Sequence, residues 1–382
     1  MLLGEYSDKP GGGGRAVPHV VVLSITRAAA SGREFVVTIH EEGTALSWCR
    51  RVSLDADTEA FLIGAVRDLH RWSLDKTALT VKRAQRLAGR LGQTLYRRFV
   101  GRAGTEVLQR VQPTAVMLAI DETLLSLPWE LMPGPDGSWI DAVPLGRIVT
   151  TGVVPAKGRD PKVEDPIVRM LVVANPTGDL AAADVEAEAI AALDGMHGDV
   201  RVEVSTLPTA KATPTGFRAA VRGEEFDVIH VAGHGAFSPT RPGESALILN
   251  GGELRADDVV RLPWAAPPYI VFNSTCESAR AARGRRLVSR NGQSNGLAAA
   301  FLAAGAEAYI GHFWPVDDWG ASTFATTFYK ALFDRVNVGT AVLDARHSVM
   351  NSFFDEGLLT GPGAVFFGDA GTAERRDIAR AA

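Results

Sequence analysis

From residue 115 onward the chain repeats one texture, short apolar runs separated by helix-forming stretches, and this constrains the fold more than any other feature. The runs lie at 115–120, 148–154, 168–174, 200–204, 227–232, 269–273, 307–311 and 364–368. They are flat in hydrophobicity rather than alternating, as strands buried on both faces are, and helical segments at 181–193 and 294–304 lie between them. The pattern predicts an α/β fold, a mostly parallel sheet flanked by helices. No internal repeat interrupts it.

Upstream the texture differs. Residues 19–112 read as a smaller region of strands followed by helices: an antiparallel meander through Phe35, Val37 and Ile39, then helical stripes of Leu62, Val66 and Leu69 and of Leu87, Leu91, Leu95 and Phe99. Arg83, Arg86, Arg90 and Arg97 occupy the opposite side of the second stripe and read as a solvated face. Residues 1–18 carry a run of four glycines and read as a flexible tail, as do the polar residues 371–382. The expected organisation is therefore tail, N-terminal region 19–112 with a regulatory or recognition role, main domain 113–370, and tail.

Composition excludes several classes. With 40 basic and 44 acidic residues, a net of −4, there is no overall pull toward nucleic acid or an anionic membrane. The first residues lack the apolar core of a secretory signal, and the longest apolar stretch, 296–305, falls well short of the ~20 residues that span a bilayer. Two cysteines, Cys49 and Cys276, cannot build a disulfide framework. The expectation is a cytoplasmic protein with free thiols.

In parallel sheets functional groups gather beyond the carboxyl ends of strands. Two such ends stand out. The strand at 227–232 exits through Gly233, His234 and Gly235, and the strand at 269–273 delivers Cys276 to the same edge. A cysteine peptidase needs an imidazole to take a thiol proton and a thiolate to attack a carbonyl. The backbone N–H groups of Gly235 and Cys276 are candidates for the oxyanion donors. Free cysteine also packs as a small apolar group, so spacing alone leaves both roles open for Cys276. His230, alternating with Ile229 and Val231, reads as a core histidine. A metal site of His230, His234, Cys276 and His312 lacks ligand spacing, and no cofactor is implied.

Six blocks in order resemble the CHAT domain of the caspase and separase group of cysteine peptidases: LPWELM (127–132), HVAGHG (230–235), NSTCES (273–278), the 296–305 helix, GHFWPVDD (311–318) and GAVFFGD (363–369). The resemblance spans about residues 113–370. It implies a caspase-like fold, peptidase activity and a His–Cys dyad at His234 and Cys276, whose separation of 42 residues (276 − 234) is near the ~50 of caspases. It also implies a protein or peptide substrate, an activating protein partner, and a role in bacterial defence or cell death. The caspase pentapeptide around the nucleophile is absent, so cleavage after aspartate does not carry over. Asn273, Ser274 and Thr275 stand where arginine-specific relatives carry an acid.

For the substrate side chain, Trp314 and Pro315 are candidates for an apolar wall, Trp314 equally for core filling, and Asp317 either faces a basic residue or, the favoured reading, caps the next helix. The arginine-rich segment 279–292 reads as an exposed, mobile activation loop. The rival to a peptidase is a catalytically silent caspase-like interaction module. A hydrolase using Ser274 or Ser278 lacks the Gly-x-Ser-x-Gly turn.

Overall fold

A computed structural model describes residues 19–371, apart from 29–31, 74, 76, 140–141, 153, 155, 160–166, 290–291, 335 and 353–358. The expected tails, Gly371 excepted, lie outside the described residues. The strands are β1 (Val20–Arg27), β2 (Glu34–Glu41), β3 (Ser47–Ser53), β4 (Ala115–Asp121), β5 (Pro133–Gly134), β6 (Gly137–Ser138), β7 (Leu145–Thr150), β8 (Ile167–Ala174) and β9 (Gly195–His197). They continue with β10 (Val200–Thr206), β11 (Val228–Gly233), β12 (Gly235–Ala236), β13 (Ala246–Leu249), β14 (Gly252–Arg255), β15 (Ile270–Thr275), β16 (Ala308–His312) and β17 (Ala364–Phe367). The helices are α1 (Ala56–Ser73), α2 (Ala78–Phe99), α3 (Gly101–Val111), α4 (Ala181–Ala191), α5 (Pro214–Gly223), α6 (Ala256–Val259), α7 (Leu297–Ala303), α8 (Asp318–Phe333), α9 (Val338–Ser352) and α10 (Thr360–Gly363).

Among the described residues one 12-stranded sheet runs in the order β3-β2-β1-β4-β7-β17-β16-β15-β11-β8-β10-β9. The N-terminal meander belongs to it: β1 pairs in parallel with β4 from Val20↔Ala115 to Ile25↔Ile120. Between the antiparallel edges formed by β2, β3 and β9, only the β16–β17 pair is antiparallel, so the middle of the sheet is two parallel blocks of opposite direction. Side chains alternate between two cores, as strand periodicity demands. Val116, Leu118, Ile229 and Val231 face the layer of α1, α2 and α7, whereas Met117, Val228 and Ala232 face α4, α8 and α9.

Two expected boundaries move for identifiable reasons. The run at 148–154 is a strand at Leu145–Thr150, because β4 offers partners only from Val116↔Leu145 to Asp121↔Thr150. The helix expected from 294 starts at Leu297, because Gly296 takes φ 106° and a Cβ there would lie 2.5 Å from the Arg280 carbonyl oxygen. Only glycine tolerates both conditions. No helix of the described residues is long and apolar enough to cross a membrane.

Candidate active site

The strands β11 and β15 are adjacent and parallel, and their last register pair is Gly233↔Thr275. His234 and Cys276 are each the next residue. Burial of every residue of β15 holds that strand rigidly in the sheet, so the position of Cys276 is set by packing rather than by loop conformation. Gly235 lies so close to the other chain that a Cβ would meet Thr275 Oγ1 at 2.4 Å and the Cys276 carbonyl oxygen at 2.7 Å. Beyond it, β12 pairs with β13 through the Ile248 N–H, which donates to the His234 carbonyl oxygen at 3.0 Å. In an antiparallel ladder that register leaves the Gly235 N–H outside the pairing.

His234 and Cys276 line one cavity of about 40 Å3, together with Glu186 of α4, Ser274, Val316 and Asp318. That volume has room for only a few water molecules. His234 Nε2 lies 3.1 Å from both carboxylate oxygens of Asp179. A carboxylate only accepts, so Nε2 carries a proton, and in the neutral imidazole the lone pair is then on Nδ1. Asp179 sits in a braced turn. Asn175, buried and at φ 42°, accepts from the Leu180 N–H at 3.0 Å and donates to Asp184 at 2.8 Å. The Thr177 hydroxyl, and then His234, hold the Asp179 carboxyl below the usual aspartate range.

Burial pushes the Cys276 thiol above its ordinary value, and the nearby carboxylates of Asp318 and Glu277 push the same way. A hydrogen bond from the Val316 backbone pulls against them. The resting group is the thiol, not a thiolate.

The turn carrying Cys276 is held from below and from the side. Asn273 Nδ2 donates to the Tyr309 hydroxyl at 2.9 Å, which donates to the Ser278 carbonyl oxygen at 2.8 Å. The Ser278 hydroxyl donates to the Asn273 carbonyl oxygen at 2.8 Å and accepts from the His312 N–H at 3.0 Å. Glu277 adopts φ 56°, a left-handed conformation that costs a non-glycine residue ~1–3 kcal/mol unless its surroundings impose it. They do: its carboxylate pairs with Arg280 and lies 3.3 Å from His70 Nδ1 of α1. Helix α1 thereby touches the residue next to Cys276.

Other expected residues take different places. Trp314 is fully buried, and a Cβ on Gly363 would lie 2.2 Å from its Nε1, so it fills the core instead of walling a pocket. Pro315 does not line the cavity, and Asp317 caps α8, its Oδ1 accepting from the N–H groups of Trp319 and Gly320. Their neighbours Val316 and Asp318 reach the cavity. His230 is a core histidine, with Nδ1 3.2 Å from the Tyr329 hydroxyl and Nε2 3.0 Å from Glu186. Among the described residues no cluster of three or more His, Cys, Asp or Glu side chains fits a metal ion.

The segment 279–289 is exposed at 283–286, as expected, but anchored on both sides of that stretch. Ala279, Ala281, Ala282 and Leu287 are buried, and Asn295 bonds to both N–H and C=O of Ala282. Arg280 pairs with Glu277, Arg283 with Glu59 and Arg286 with Glu122, while Arg285 donates to the Thr240 carbonyl oxygen. Two of these acids, Glu59 and Glu122, are far away in sequence and offset part of the repulsion expected among neighbouring arginines; Arg290 lies outside the described residues. Asp179 escaped the sequence reading although the same rule finds it. It follows β8, another strand ending at this edge of the sheet, and inspecting that third strand end would have named it.

The CHAT domain family model matches residues 31–356. Two crystal structures of the Saccharomyces cerevisiae separase–securin complex superpose with TM-scores of 0.60 and 0.52, covering 92% and 91% of this chain at 11% and 12% identity. In each the match covers 30% of the matched chain, so this chain spans about a third of that length. The Arg-specific cysteine proteinase gingipain R of Porphyromonas gingivalis gives a TM-score of 0.49 at 14% identity, over 77% of this chain and 69% of that one. No curated protein sequence matches.

Proposed function

The chain belongs to the CHAT domain family and has a caspase-like cysteine-peptidase fold, and from that premise we propose that it is a cysteine endopeptidase acting on a protein substrate through Cys276 and His234. One observation carries this reading: the two residues leave adjacent parallel strands in the same register and line one cavity.

In the reaction His234 Nδ1 takes the Cys276 thiol proton as Sγ bonds to the scissile carbonyl carbon. The oxygen that gains the electron pair meets the N–H groups of Gly235 and Cys276. When the C–N bond breaks, the imidazolium returns its proton to the leaving amine. Water then attacks the thioester, giving its proton to His234, and the thiolate leaves and is reprotonated. Asp179 is a positioning residue that holds Nε2–H and with it the imidazolium. Because burial favours the protonated thiol and the cleft at the dyad is small, the resting enzyme is latent, and substrate or a protein activator must open the site. Residues 19–112 form the recognition side, joined to the nucleophile turn through His70 and Glu277.

The buried thiol also favours the rival reading of a silent interaction module. An acyloxymethyl ketone probe separates the two. The peptidase reading expects labelling at Cys276 that is lost in Cys276→Ala and slowed in His234→Ala at unchanged Tm. Equal labelling of wild type and His234→Ala, or none under any condition, refutes it.

A further inference from the structure

A second, largely apolar cavity lies apart from the one that the dyad lines and shares no lining residue with it. It has a volume of about 530 Å3 and opens between α1 and the segments that follow His234 and Cys276. That volume falls within the ~300–1,000 Å3 of ligand pockets. Its walls are apolar, with Phe35, Leu62, Ile63 and Val66 facing Phe237 and Ala281. Phe237 is three residues beyond His234 and Arg280 four beyond Cys276, and the Arg280 guanidinium lies 4.8 Å from the Phe237 ring centroid. A chain seated here therefore packs against the segments that follow the two dyad residues.

The charge around this cavity is mostly positive, although acids just outside it answer two of its arginines, Asp68 at 3.7 Å from Arg67 and Glu277 paired with Arg280. Five arginines line it, Arg27, Arg67, Arg280, Arg283 and Arg285, against the single acid Glu59. Glu59 is shared between Arg33 and Arg283, so one carboxylate answers two guanidinium groups. Arg27 donates to the Thr123 hydroxyl and the Gly32 carbonyl, and Arg285 to the Thr240 carbonyl, all uncharged oxygens. Surplus positive charge bordering an apolar cavity is complementary to a ligand with apolar side chains and carboxylates at its edge.

We propose that this cavity seats a segment of the protein substrate in which bulky apolar residues adjoin glutamate or aspartate. The proposal rests on the peptidase reading for what the segment belongs to, and its test does not need the chemistry.

The experiment uses the full chain carrying Cys276→Ala and fluorescence anisotropy of a labelled short peptide with Leu-Phe-Glu-Glu at its centre. Saturable binding is expected, weakened roughly tenfold or more when lysines replace the glutamates, as lost charge-assisted contacts imply. Serines in place of Leu and Phe should weaken it comparably. Arg67→Glu with Arg285→Glu, both exposed, and separately Ile63→Glu should each reduce affinity at unchanged Tm. Absence of binding, equal binding of the lysine peptide, or indifference to both sets of substitutions overturns the proposal. If the peptide binds as expected but Cys276 resists the ketone probe, the docking cavity stands and the peptidase reading falls.

Discussion

Replacing Glu130 by alanine should cost the fold about 3–5 kcal/mol, the range for stranding one partner of a buried ion pair. Glu130 and Arg147 side chains are 2% and 0% exposed, and the guanidinium grips the carboxylate with Nε at 2.5 Å and with Nη2. Without the carboxylate, Arg147 keeps the Leu127 carbonyl at 3.0 Å and the Phe367 ring at 5.6 Å, which accept hydrogen bonds or stack but do not neutralise charge. Domains of this kind hold ~5–15 kcal/mol in total, so the loss is a large share of it. Urea unfolding followed by circular dichroism should show the midpoint falling by about 1–2 M for slopes near 3 kcal/mol/M. Glu106→Ala, which removes a surface pair exposed by 94% on Arg102 and 63% on Glu106, should cost no more than ~1 kcal/mol. The double variant Glu130→Leu with Arg147→Met should recover most of the loss, because two apolar side chains replace two desolvated charges. A loss below ~1 kcal/mol for Glu130→Ala, or a double variant no better than the worse single, would show that desolvation is not what the pair manages.

Alkylation of Cys276 by iodoacetamide should be slow at neutral pH and climb as pH rises past the ordinary thiol range. Asp318→Asn, by removing a like charge, should raise the rate at fixed pH; an unchanged rate there would leave burial as the whole cause. His312 is pushed down to about 4 by burial, and both ring nitrogens lack partners. Between pH 6.5 and 4 the unfolded chain binds a proton at this residue that the folded one refuses, so stability rises with pH across that window. Relative to His312→Leu, wild type should lose about 3 kcal/mol on acidification from 6.5 to 4, and parallel stability curves for the two would refute the assignment. In limited trypsin digestion the first cuts should fall outside 280–286, because each arginine there is held by an acid or a carbonyl. A first cut inside that stretch would contradict the packing.

The alternation of apolar runs and helices was enough to predict the α/β sheet, since a strand covered on both faces has no solvent-facing side, and β15 is buried at every residue. The same logic brought His234 and Cys276 to one edge, because strand ends are positions along the chain. Trp314 stayed open between the two roles because a tryptophan next to a proline reads alike on a pocket wall and in a core. Only the packing of α10, where Gly363 leaves it space, distinguishes the two.

What the sequence determined by itself is what depends on local periodicity and residue chemistry: the strands, the amphipathic helices, and a thiol and an imidazole at strand ends. Tertiary structure alone decided everything that depends on charges distant in the chain. Asp179 meets His234 across 55 residues, Arg283 meets Glu59 across 224 and Glu277 meets His70 of α1. Electrostatic neutralisation acts through space within a few ångströms, so a segment that repels itself when read in order becomes anchored once the fold brings its counter-charges to it.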